Sequence, residues 1–196
     1  MQCELCKMSY SPDNPDDVVM HQEHHDKVIN GVHSLPSEGN DVIWSEGEMQ
    51  ITIVNNLSPL ERHLEAEEMV SIARLDTPQY SGIILGDMST CFLLRKRDRI
   101  IGLLIAEERD HILQTSWVDL QNNKKPKKLL IHPPMWSICF IWILKCHRGC
   151  HLGRMIVSKV IVFWKCNYDS IGWQMPFTDS GEALVRRCCP TRFYIA

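Results

Sequence analysis

Cys3, Cys6, His21 and His25 follow the spacing C-x2-C-x14-H-x3-H near the start of the chain. Two thiolates and two imidazoles satisfy tetrahedral zinc and leave no position open, so a centre of this kind is structural rather than catalytic. The cysteine pair reads as a tight knuckle. His21 and His25 stand one helical turn apart in DDVVMHQEHHDKVI and so share a helix face. His24 lies near that face and competes for the fourth ligand position. The segment between the pairs has too few apolar residues to hold itself without a metal.

A second chemical locus is the junction IWILKCHRGCHLGRMIVSKV, a buried strand, a short loop with Arg148, Gly149 and Gly153, then a helix. A glycine-containing turn that enters a helix presents free backbone N–H groups at the positive end of the helix dipole, which makes an anion cradle. Arg148 and Arg154 add positive charge there.

The remaining composition bounds what these loci serve. At 196 residues the chain makes one domain with a small appendage. A net charge of −3 and a pI near 6.3 are not those of a dedicated nucleic-acid binder. The helix carrying the histidines has Asp16, Asp17, Glu23 and Asp26 against Lys27, so phosphate repulsion argues against sequence-specific DNA reading. Nine cysteines, an odd number with no signal peptide before them, favour a reducing compartment, and the adjacent Cys188 and Cys189 are not expected to pair. The longest apolar run, Trp136 to Leu144, is nine residues, too short to cross a bilayer as a helix, so no membrane association is expected.

The elements that must position the two loci alternate in order. HSLPSEGND reads as a connection between a finger at 1–33 and a body at 41–196. DVIW and MQITIV predict a strand pair turning near Gly47. Ser58-Pro59-Leu60-Glu61 predicts a capping box, with proline at the first position of a helix running towards Leu75. Cys91 to Leu94 and Ile100 to Ala106 predict a hairpin around RKRD, and NNKKPKKL at 122–129 a polar loop that doubles as a nuclear-localisation or docking candidate. WSICFIWIL predicts a buried strand and RMIVSKVIVFWK a largely apolar helix. Strand-like SIGWQM, a short helix from about Asp179 and a terminal strand TRFYI complete an α/β (α+β) pattern.

Taken together these segments resemble a family. The junction is similar to the acetyl-coenzyme A loop of the GNAT superfamily, Arg/Gln-x-x-Gly-x-Gly/Ala followed by a helix. The whole chain resembles the catalytic half of the sister-chromatid cohesion establishment acetyltransferases. Their finger, C-x2-C-G-M-x-Y with a following H-x3-H, is matched by Cys3, Cys6, Met8, Tyr10, His21 and His25, with Gly31 after it. The likeness continues through Ile100–Glu108, Ile138–Leu144, Arg154–Ile156 and then Pro176, Asp179, Ser180 and Gly181.

The resemblance implies a GNAT-type mixed sheet with flanking helices behind a C2H2-like zinc finger, structural zinc, and acetyl-coenzyme A as cosubstrate in a splay between strands at 137–144 and 171–175. Backbone groups of Ile141, Trp142 and Ile143 then pair with the pantetheine arm. Arg148, Gly149, Cys150, His151, Leu152, Gly153 and Arg154 hold the pyrophosphate. It also implies a nuclear, chromatin-associated lysine N-acetyltransferase acting on the ATPase head of a cohesin SMC subunit, with the replication machinery as a further partner.

The chain departs from the family at several positions. Cys139 stands where the family usually has serine, Met175 and Val157 where it often has acidic residues, and the loop position that is normally glycine is His151 if read from Arg148 or Cys150 if read from His147. The catalytic candidates are therefore Cys139 near the thioester, Asp179 as proton acceptor and Glu107 as base or substrate contact. Each has a structural alternative: a small buried hydrophobe, a helix cap and a strand-end charge. The competing function is a catalytically weak or inactive relative that binds cohesin or replication proteins.

Overall fold

The computed structural model describes residues 1–36, 41–78, 85–86 and 89–196. The centre of the HSLPSEGND connection, residues 37–40, lies outside that set. The finger opens with a knuckle in which Cys3 N–H donates to Met8 O and Lys7 N–H to Cys3 O. Helix α1 (Pro15–Asn30) follows, capped by the Asn14 side chain, which accepts from Asp16 N–H, and with proline in its first turn. The helix ends on Gly31 at φ 92°, and a Cβ there would stand 2.2 Å from the Ile100 carbonyl oxygen, so the close crossing admits only glycine. Arg99 ties the finger to the body through Asp26 at 2.6 Å and Gly31 O at 2.9 Å, and Lys27 reaches Glu68 at 2.5 Å.

Among the described residues the strands form one mixed sheet in the order β2 (Val42–Glu46), β3 (Met49–Val54), β4 (Ser89–Lys96), β5 (Arg99–Ser116), β6 (Lys127–Ile143), β7 (Gly172–Trp173) and β8 (Arg192–Ile195). The short β1 (Val32–His33) pairs with the start of β5, and β8 pairs with its far end. β6–β7 and β7–β8 are parallel and the other pairings antiparallel.

The helices are α2 (Leu60–Asp76), α3 (Trp117–Gln121), α4 (Leu152–Phe163) and α5 (Asp179–Cys188). β4 is buried from Ser89 to Arg95 without alternation, so the sheet is covered on both faces. Phe92 meets Phe163 and Trp164 at the end of α4, whereas Arg95, of opposite parity, bonds Glu65 of α2. The two helices therefore cover opposite faces.

The predicted α/β architecture stands, with local corrections. α2 begins at Leu60 behind Pro59, and no side chain caps it, because the Ser58 hydroxyl instead accepts from Asn55 N–H at 3.1 Å. The second hairpin strand runs ten residues beyond Ala106, and the strand pairing of Lys127 and Lys128 shortens the lysine loop. α3 forms in a stretch for which no element is predicted.

Under α2 lies a buried ionic cluster. Glu65 accepts from Arg62 at 2.8 Å and from Arg95 at 3.1 Å, and both arginines also donate to Leu35 O. Leu35 N–H donates to the other Glu65 oxygen at 2.5 Å, so the cluster clamps the chain where it leaves the finger.

Candidate functional site

In the finger, the ligand atoms of Cys3, Cys6, His21 and His25 all lie within 4.8 Å of one another. Cys3 Sγ is 3.4 Å from His25 Nδ1, and His21 Nε2 is buried without a hydrogen-bond partner, a donor aimed at the centre of the set. Tyr10 stacks on the His21 ring at 3.9 Å and fixes its plane. The Cys6 backbone, then the His21 side chain and the Leu5 backbone, hold the Cys3 thiol down to about 5, which favours the thiolate that zinc needs. His24 turns away to Cys6 O at 3.3 Å and stands outside the cluster of four. The four-donor N/S set fits structural zinc and leaves no place for a reacting water.

The second locus begins on β6. Ile105 pairs with Phe140 but Ala106 with Ile138, so Cys139 is the extra residue of a β-bulge. The bulge shifts the alternation of backbone groups. Below it, Ile138 O faces β7 and accepts from Gln174 N–H at 2.9 Å. Above it, Leu144 N–H donates to Ile101 O at 2.8 Å, so Trp142 also faces β5 while Ile141 and Ile143 turn to the opposite edge. β7 pairs with β6 only at Ser137 and Ile138 and then leaves it, so that edge opens as a splay.

The splay leads to the start of α4. Gly149 has φ 82°, and His151, the N-cap, is left-handed at φ 59° and ψ 14°, the conformation for which glycine is the usual residue. No side chain caps the helix, and its first bond is Met155 N–H to His151 O at 3.0 Å. The amides of Leu152, Gly153 and Arg154 therefore point out of the helix end unpaired within it. A Cβ on Gly153 would meet Leu184 of α5 at an ordinary 3.8 Å.

Arg148 is engaged elsewhere. Its guanidinium bonds Asp76 and, at 2.8 Å, Ile143 O, and it lies 5.6 Å from the Trp142 ring. Burial opposes ionisation of Asp76, but the bonds from Arg148 and Trp142 outweigh it and hold its pKa below the usual value. Arg148 thus braces the loop to α2, whereas Arg154 is exposed in the first turn of α4.

Of the acid–base candidates, the structure brings Cys139 and Glu107 together. Burial first, and then the Glu107 charge, push the Cys139 thiol up to about 11 despite Arg109, so the sulfur is a neutral S–H. Glu107 accepts from Ser89 Oγ at 3.1 Å and pairs with Arg109. Asp179 is the first residue of α5 and is exposed, and the helix cap is Thr178, whose Oγ1 accepts from Gly181 N–H at 3.0 Å. No hydrogen bond or ion pair among the described residues joins Asp179 to Cys139. Val157 is fully buried in the core, a place that suits valine and not a carboxylate. Sequence reading missed Arg109, Ser89 and Asp76, because their parts depend on cross-strand and helix–loop partners far away in the chain.

Residues 1–27 match the family described as the zinc-finger of acetyl-transferase ESCO. The chain is 22% identical to mouse N-acetyltransferase ESCO2 over 96% of its own length and 33% of that protein. It is 21% identical to Drosophila melanogaster N-acetyltransferase eco over 95% of its length and 18% of that protein. It thus spans a third or less of the curated relatives it matches. The xEco2 acetyltransferase domain superposes with a TM-score of 0.63 at 18% identity, covering 83% of this chain and 98% of that one. The same domain bound to a CoA conjugate also gives 0.63, at 17% identity, covering 79% and 95%. The finger thus matches the ESCO finger, nearly the whole length aligns with ESCO2 and eco, and the fold is that of the xEco2 acetyltransferase domain.

Proposed function

We propose that this chain is a zinc-braced protein-lysine N-acetyltransferase, which takes acetyl from acetyl-CoA and delivers it to lysines on the ATPase head of a cohesin SMC subunit in the nucleus. The observation that carries this reading is the bulge at Cys139, because it turns the Ile141 and Ile143 backbone towards the edge that β7 vacates. Ile143 O is taken by Arg148, so Ile141 N–H and C=O and Ile143 N–H are the groups left to pair with the amides of a pantetheine arm. The amides of Leu152, Gly153 and Arg154 then meet the pyrophosphate at the positive end of α4. The CoA conjugate bound by the related xEco2 domain supports the same cosubstrate here.

Attack of a neutral lysine amine on the thioester forms the amide, breaks the C–S bond and releases coenzyme A, while the ammonium proton must leave through a protein group or water. The Cys139 S–H donates a weak hydrogen bond at the bulge. Glu107, beside it, is the better placed of the two carboxylates to accept the proton once Arg109 yields it. Asp179 serves the substrate side. Cys3, Cys6, His21 and His25 would hold a zinc ion that braces the finger, and with all four positions filled it would take no part in the transfer.

A second reading, a binding protein with little turnover, draws on one observation: Arg109 occupies the only carboxylate found beside Cys139 among the described residues. Incubating the zinc-loaded chain with acetyl-CoA and a cohesin ATPase head, then mapping acetyl-lysine by mass spectrometry, decides between them. Acetyl groups at defined lysines are expected. A head left unmodified, although the chain binds both partners, would favour the binding protein.

A further inference from the structure

The outer face of α2 carries a second feature that acetyl transfer does not use. Two open depressions, of about 560 and 500 Å³, run along the helix and meet at Glu68 and Ser71, so they form one trough. The first is floored by Leu35 and Leu64, and the second lies between α2 and the finger, with Met8, Met20, Ile72 and Leu75 as its apolar lining. Leu64 is 54% exposed, Met20 58% and Leu75 46%, and Leu60, one turn before Leu64 on the same helix, is 69% exposed. Apolar side chains gathered along one depression and rimmed by polar residues form the pattern of an interaction surface.

The rim of the trough is acidic. Glu23, Glu61 and Glu67 are exposed, and among the described residues they have no ion-pair partner. Glu68 pairs with Lys27 at the junction of the two depressions. The 17 residues of α2 give the trough a length of about 25 Å.

We propose that this trough docks a basic amphipathic helix of a partner protein. The apolar stripe of that helix seats on Leu64, Leu75 and Met20, and its lysines or arginines face Glu23, Glu61 and Glu67. A helix laid in a groove needs apolar anchors at i, i+3 or i+4 spacing, and a trough of this length takes about four turns of it. Charge complementarity selects the basic partner. It also disfavours a second copy of this chain, since a two-fold contact would set the same carboxylates against one another. The surface joins finger and body, so its shape depends on the contact through Lys27 and Glu68.

The test is fluorescence anisotropy of the zinc-loaded chain with three labelled 18-residue probes: a lysine–leucine peptide with its leucines on one helical face, a scramble of the same composition, and a version with glutamate for lysine. The amphipathic basic probe should bind at least tenfold more tightly than the scramble, and the acidic version should not bind. Leu64→Asn and the double charge reversal Glu61→Lys, Glu67→Lys should each weaken binding at least tenfold, whereas Val162→Asn on α4 should not. Leu75→Asn supplies a second apolar probe should Leu64→Asn fold poorly. Equal binding of the scramble, or full affinity in the trough variants, overturns the proposal. So does a sedimenting dimer of the chain that Leu64→Asn dissociates, which would assign the trough to a second copy. Acetyl transfer is not read in this assay, so its outcome is independent of the proposed catalytic activity.

Discussion

Replacing His151 with glycine should stabilise the chain. His151 sits at φ 59° and ψ 14° with an exposed ring, at the N-cap of α4. The left-handed conformation costs a residue with a Cβ about 1–2 kcal/mol. Glycine is free of that cost but loses about 0.5–1 kcal/mol more backbone entropy on folding. The backbone bond from Met155 N–H to His151 O survives the change, so the net expectation for His151→Gly is a gain of about 0.5–1 kcal/mol. For a chain of this size that is a rise of about 1–4 °C in Tm. Scanning calorimetry at saturating zinc measures it, with His151→Ala as the control that removes the imidazole but keeps the strained backbone. Alanine should match or fall below the parent and glycine exceed both. A His151→Gly Tm at or below that of His151→Ala would show that the left-handed geometry is not what limits this position.

Three further outcomes follow from the same contacts. Glu65→Ala leaves Arg62 and Arg95 buried without their shared carboxylate and should cost about 3–5 kcal/mol in urea unfolding, and a loss under about 1 kcal/mol would contradict the clamp. With its thiol near 11, Cys139 is about 0.1% thiolate at pH 8 against roughly a quarter for an ordinary cysteine. Alkylation read residue by residue in the mass spectrometer should therefore be about 100-fold slower at Cys139 than at exposed Cys150 and should climb steadily towards pH 11, whereas matched rates would refute the desolvated site. If the chain turns over, Glu107→Gln should lower kcat about 100-fold and Asp179→Asn less than about tenfold, and the reverse order would return the proton to Asp179.

The finger was legible because its ligands carry their own spacing, and helical periodicity put His21 and His25 on one face. What spacing did not decide was His24, since its place near the same face is compatible with binding, and only the carbonyl of Cys6 shows where its ring goes. The cradle before α4 was legible as strand, glycine turn and helix. The bulge beneath it was not: ICFIWIL is apolar throughout, and the extra residue exists only relative to the register of β5. The pairing of Arg148 was not legible, because nothing local announces Asp76, 72 positions earlier. EERDHILQTS has few apolar residues to mark it as a strand, yet it forms the outer half of β5 where β6 and β8 supply partners. Arg62, Glu65 and Arg95 would each be assigned to solvent one at a time; they are buried because each satisfies the others and the Leu35 backbone.

Whether the splay beside β6 and the uncapped start of α4 together form an acetyl-CoA site is decided by titrating acetyl-CoA into the zinc-loaded chain and its Gly153→Val variant in a calorimeter. Gly153 has ordinary helical space around it, so the variant should fold, but its side chain crowds the amides offered to the pyrophosphate. The parent should bind saturably and one-to-one, and the variant should show a Kd at least tenfold higher. Absence of binding by the folded parent, or equal affinity in the two proteins, would contradict the site.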